Sequence, residues 1–137
     1  MSLVLDGSAT LGWVYPDKTT LALNELFERV IVQGAIVPEL WKIEIANSLS
    51  QGIRRRSIKP GDRAVALAGL EALSISVDRQ TGKHVWGETL SLADKHHLTV
   101  YDATYLELAL RLALPLATLD EDLRAAAQQE NIPLLGR

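Results

Sequence analysis

Ala35-Ile36-Val37-Pro38-Glu39-Leu40-Trp41-Lys42-Ile43-Glu44-Ile45-Ala46 changes its hydrophobic pattern part-way along. Ala35-Ile36-Val37 is a short unbroken apolar run, the pattern of a buried strand. Pro38 suits the first turn of a helix, and helical spacing then carries the chain to about Arg55. Just upstream, residues 18–33 place Leu21, Leu23, Leu26, Phe27, Val30 and Ile31 at helical intervals, and Gly34 follows as a terminator. This stretch therefore predicts helix, strand, helix.

The alternation continues in both directions. Leu3-Val4-Leu5 predicts a first strand. Residues 62–73 predict a helix through Val65, Leu67, Leu70 and Leu73, followed by a strand at Ile75-Ser76-Val77. A helix from about Gln80 to Lys95 comes next, and another over 103–113, stopped by Pro115. Leu116-Ala117-Thr118-Leu119 predicts a strand, Glu121–Gln129 a helix, and Ile132-Pro133-Leu134-Leu135 a last strand. Strands alternating with helices imply an α/β sandwich around a mainly parallel sheet. The 137 residues, 47% of them hydrophobic, suit a single domain spanning 1–137 with a real core.

Four acids stand out against this frame. Asp6 ends the first strand, Asp102 opens the helix at 103, and Asp120 follows the strand at 116. Glu44 lies three and four residues after Trp41 and Leu40, on the apolar side of its helix. A carboxylate beside a core segment is costly to desolvate, and four brought together repel one another. A divalent cation relieves both costs, and hard cations prefer oxygen ligands. In a parallel sheet, Asp6 and Asp120 fall at the carboxyl ends of strands, where ligand crevices form. The competing explanation is capping: Asp6, Asp102 and Asp120 each suit a turn or helix N-cap. Capping does not account for Glu44.

The remaining signals narrow the class. Cysteine is absent, which excludes disulfides and thiolate metal sites and fits a reducing, cytoplasmic setting. Met1-Ser2-Leu3-Val4-Leu5-Asp6 lacks the basic and long apolar regions of a secretory signal. Ala103–Leu119 is too interrupted by charge and by Pro115 to span a membrane. Net charge is −3, yet residues 42–63 hold six basic side chains, Arg54-Arg55-Arg56 among them, against two acidic ones. That strip suits a polyanion, or simply a solvated helix C-terminus. His84, His96 and His97 read as surface or half-buried groups, and Trp13, Trp41 and Trp86 as core or interface. No nucleophile elbow or phosphate-binding glycine loop is present.

Four motifs resemble those of PIN-domain nucleases, in the right order. Leu3-Val4-Leu5-Asp6-Gly7-Ser8-Ala9 is similar to the opening motif. Val37-Pro38-Glu39-Leu40-Trp41-Lys42-Ile43-Glu44-Ile45-Ala46-Asn47 resembles the second acidic motif of the VapC-type toxin branch. The third and fourth match Leu98–Ala109 around Asp102 and Leu114–Leu123 around Asp120. The resemblance implies a PIN-like three-layer α/β/α sandwich and a Mg²⁺- or Mn²⁺-dependent endoribonuclease. It further implies the toxin half of a type II toxin–antitoxin pair, homodimeric and held inactive by a cognate antitoxin. Carried over by position, Asp6, Glu44, Asp102 and Asp120 are the catalytic acids, Asp6 and Asp102 the principal metal ligands, and Ser8 and Thr118 supporting hydroxyls. Asp122 is an additional acid nearby.

Rival readings are a phosphoacceptor receiver domain, a PIN fold acting only as a binding module, and a PIN nuclease that processes RNA outside any toxin pair. A receiver needs paired acids after its first strand and a lysine after its last core strand. Here Gly7-Ser8 follows Asp6, and Leu119 precedes Asp120 where the lysine is wanted; Asp78 is the one feature in its favour.

Overall fold

The computed structural model describes residues 2–137. Its centre is a five-stranded, all-parallel sheet in the order β3-β2-β1-β4-β5. The strands are β1 (Val4–Leu5), β2 (Ala35–Pro38), β3 (Ile75–Asp78), β4 (Leu116–Ala117) and β5 (Leu134–Leu135). β1 and β4 pair through Val4 with Leu116 and Leu5 with Ala117, and all four of these residues are fully buried. Both faces of the central strands are covered, which is why they read as unbroken apolar runs.

The helices are α1 (Gly7–Val14), α2 (Leu21–Gln33), α3 (Leu40–Arg54), α4 (Pro60–Glu71), α5 (Thr81–His84), α6 (Leu90–His96), α7 (Val100–Leu112) and α8 (Glu121–Gln129). The chain steps β1→β2→β3 in one direction, then crosses to β4 and β5 on the other side. Right-handed crossovers therefore put α1–α4 on one face and α5–α8 on the other. The packing of α1 on α2 and α3, and of α7 on α6 and α8, agrees. The direction of winding reverses between β1 and β4, the position at which open parallel sheets take ligands beyond the carboxyl ends of their strands.

Several element boundaries differ from expectation. Pro38 closes β2, in register with Asp78, and the helix begins at Leu40. Of the two alternatives for Asp6-Gly7-Ser8, a turn or a helix cap, the cap holds, and it opens a helix, α1, that the apolar pattern did not predict. The helix expected over 80–95 is interrupted by a π-helical turn, Val85–Thr89, which separates α5 from α6. The helix expected at 62 begins two residues earlier, where Pro60 takes the first position. The strands at 116 and 132 are shorter than their apolar runs, because only two residues of each pair.

Gly34 is required where it stands. Its φ of +73 ends α2, and a Cβ there would lie 2.8 Å from the Ser74 carbonyl oxygen. That same oxygen accepts the Ala35 amide at 3.0 Å, the first bond joining β2 to β3. Asp78 ends β3 bound by Arg111 (2.8 Å), whose guanidinium also holds Glu107 (2.7 Å). The guanidinium keeps the Asp78 carboxyl below its ordinary range despite desolvation by burial. Asp78 is thus a partner in a structural ion pair. The His96 ring is buried, against expectation, and meets Glu130 at 2.7 Å, tying α6 to the end of α8.

Candidate active site

Asp6 is the N-cap of α1 and only 4% exposed. Its Oδ1 accepts the Ala9 amide at 2.9 Å and the Ser8 hydroxyl at 2.7 Å, and its Oδ2 accepts the Thr118 hydroxyl at 2.5 Å. Ser8 and Thr118 in turn accept the backbone of the β4–α8 loop: Leu119 N to Ser8 Oγ at 2.9 Å and Asp120 N to Thr118 Oγ1 at 3.0 Å. The two hydroxyls stitch the ends of β1 and β4 together and bring Asp120 beside Asp6. Asp120 caps α8 through the Leu123 amide at 2.9 Å. Capping and site membership are therefore compatible for Asp6 and Asp120: the cap fixes one oxygen, and the helix N-terminus supplies a positive field.

The capping alternative fails for Asp102. Thr99 caps α7, accepting the Asp102 amide at 3.1 Å, and Asp102 sits at the third helical position. Its carboxylate stays free of that duty. Glu44 stands one turn into α3, half-buried, with Oε1 3.7 Å from where a Cβ on Gly7 would be. It accepts a hydrogen bond from the Tyr105 hydroxyl. Trp41, on the same face of α3, donates its indole N–H to Thr10 at 2.9 Å, and Thr10 donates to the Asp6 carbonyl at 2.7 Å. α3 is thus pinned to α1 on one side and to α7 on the other.

The acids feel one another. Burial pushes the Asp6 carboxyl up to about 6, against the pull of its three donors, and the Asp102 charge adds to the rise. Glu44 is raised by burial and by Asp102, although the Tyr105 hydroxyl opposes this. Asp102 is raised by burial, then by the charges of Asp120 and Asp122. The Asp102 charge thus reaches both Asp6 and Glu44, and the charges of Asp120 and Asp122 reach Asp102. Among the described residues, no three His, Asp or Glu side chains form a ready-made cage for a metal. The donors are instead a loose, mutually repelling set of carboxylates at the carboxyl edge of the sheet. That chemistry fits Mg²⁺ or Mn²⁺, since Mg²⁺ is held by one or two carboxylates and keeps several waters.

A family model for the PIN domain matches residues 3–129. The chain belongs to the PIN-domain family. It is also 30% identical over 125 residues to Ribonuclease VapC3 of Pyrobaculum aerophilum, covering 90% of this chain and 92% of that protein. The fold matches the crystal structure of PAE2754 from the same organism, with a TM-score of 0.62 at 19% identity over 92% of this chain and 84% of the other. As a PIN nuclease the chain is not a receiver domain, in keeping with the ion-paired role of Asp78.

Sequence reasoning passed over the supports of the cluster, Thr10, Thr99, Trp41 and Tyr105. Tyr105 lies one turn after Asp102 and shares its helix face, which is the one local signal that pointed to it. The hydroxyl's partner, 61 residues away, is visible only in the fold.

Proposed function

We propose that this PIN nuclease is a Mg²⁺- or Mn²⁺-dependent endoribonuclease and the toxin of a type II toxin–antitoxin pair. The observation that carries the reading is the hydrogen-bonded placement of Asp6, Asp120 and Glu44 by Ser8, Thr118 and Tyr105, with the Asp102 charge reaching both Asp6 and Glu44. Repulsion among these carboxylates is costly unless a cation offsets it. Asp102 and Asp6 would hold the principal ion, with Asp120 and Glu44 completing the shell through water. The ion would supply charge neutralisation on the phosphate and a more acidic water.

The chain's own groups perform the rest. Ser8, Thr118 and the Ala9 amide fix Asp6 and leave its Oδ2 with one lone pair to offer. A carboxylate of the cluster accepts a hydrogen bond from the attacking water and aims it in line with the leaving 3′-oxygen. The proton released passes to that carboxylate, the P–O3′ bond breaks as the new P–O bond forms, and the leaving 3′-oxygen takes a proton from solvent water, so the products carry a 3′-hydroxyl and a 5′-phosphate. The N-termini of α1, α7 and α8 meet at this edge, adding positive field where the phosphate sits. The exposed arginines 54–56 at the end of α3 offer charge for the flanking backbone.

The toxin role is supported by the four ordered motifs and by the kinship with Ribonuclease VapC3. The same reading carries a cognate antitoxin as protein partner. Homodimer formation belongs to the same reading. Among the described residues no helix is long and apolar enough to cross a membrane.

The test is digestion of cellular RNA by purified protein with Mg²⁺, with Mn²⁺ and with chelator, followed by mapping of product ends. Cleavage that needs the metal, leaves 5′-phosphates and is lost in Asp102→Asn supports the proposal. Chelator-resistant cleavage, or 2′,3′-cyclic phosphate ends, overturns the mechanism.

A further inference from the structure

Resting on the metal-nuclease reading above, we infer that Tyr105 is a positioning residue: its buried phenol holds Glu44 within reach of the other acids across the two helical layers. Glu44 comes from α3, on one face of the sheet, and Asp102 from α7, on the other. Tyr105 is 1% exposed, one turn below Asp102 on the same helix face, so its ring is fixed by the core. Its hydroxyl donates to Glu44 Oε1, the one side-chain bond crossing from α7 to α3 at this edge.

Without that donor Glu44 has a reason to leave. It is half-buried and repelled by Asp102, and a glutamate has three rotatable bonds by which to swing toward solvent. The phenol offsets this by supplying a neutral donor to the charged carboxylate, an interaction stronger than an ordinary neutral hydrogen bond. It engages Oε1 and makes no claim on Oε2. A phenylalanine at 105 would fill the same core volume and lack only the hydroxyl. The packing role and the positioning role are thus separable.

The experiment compares wild type, Tyr105→Phe, Glu44→Ala and the double variant. It reads kcat and KM on one RNA substrate, Mn²⁺ affinity by calorimetry, and the thermal midpoint without metal. Tyr105→Phe should lower kcat by about 10- to 100-fold, weaken Mn²⁺ by about tenfold, and leave KM for RNA little changed. The double variant should be no worse than Glu44→Ala alone, because the phenol acts through that carboxylate. Wild-type kcat and Mn²⁺ affinity in Tyr105→Phe would overturn the inference while leaving the nuclease reading intact. So would losses that add in the double variant, including those from a loosened core. A wild-type protein that neither binds Mn²⁺ nor cleaves RNA would end both.

Discussion

At the scale of single residues, the Asp6 carboxylate is the group most at odds with its surroundings. Its carboxyl is pushed up to about 6 in the folded protein, while an unfolded aspartate titrates near 4. The folded state therefore binds the proton more tightly. Metal-free stability is greatest below the unfolded value and is lost as pH rises through 6. The difference amounts to about 3 kcal/mol for this one group. Unfolding in chelator at pH 4.5 and pH 7.5 should show that loss, and Asp6→Asn should remove most of it. A slope unchanged in the variant would show that the cost resides elsewhere. Asp102→Asn is a test of another kind. It removes a charge that adds to the rise at Asp6 and Glu44, so the metal-free unfolding free energy should hold steady or rise by up to about 1 kcal/mol, after allowance for solvent screening. A clear drop would mean that Asp102 serves the fold rather than a site.

At the scale of elements, short hydrogen-bonded links do the positioning. β1 and β4 are two residues each, yet the Ser8 and Thr118 hydroxyls lock their ends through contacts on both sides. Thr118→Val keeps the shape and removes a donor to the buried Asp6 and an acceptor for the amide of the half-buried Asp120. It should cost about 1–3 kcal/mol at neutral pH and raise the Asp6 carboxyl further. The α2–β2 junction is a second such point. Gly34→Ala meets both a left-handed φ and the Ser74 carbonyl, and should lower stability by about 1–3 kcal/mol by denaturant titration. Neither residue touches a reacting atom, so activity at low temperature should survive Gly34→Ala. Thr118→Val should not share that immunity, because it releases Asp6.

At the scale of the whole molecule, the winding of the sheet decides which acids become neighbours. The reversal between β1 and β4 marks the ligand position, and helices from both faces send one acid each to that edge. An ion bound there counters repulsion that the folded chain carries and the unfolded chain does not. Mn²⁺ at about 100 times its dissociation constant should therefore raise unfolding free energy by about 2.7 kcal/mol, and Asp102→Asn should abolish that increase. Equal stabilisation of the variant by Mn²⁺ would place the ion elsewhere.

What the sequence determined by itself was local in origin. Apolar runs of three or four residues, helical spacing, Gly34 and Pro115 are enough to order strands and helices, because backbone preferences and amphipathic faces act over one or two turns. The placing of acids at strand ends and on one apolar helix face was legible for the same reason. Local pattern misled where two elements adjoin: Pro38 suits a helix start, yet strand pairing with Asp78 claims it, and the π turn at 85–89 leaves no periodic trace. Tertiary structure alone decided that Thr99 rather than Asp102 caps α7, that Asp78 pairs with Arg111, and that the Asp102 charge reaches both Asp6 and Glu44. It alone joined Tyr105 to Glu44 and Trp41 to Thr10. Those pairings depend on crossover handedness and close packing, which bring together groups dozens of residues apart, beyond the reach of any periodicity in the chain.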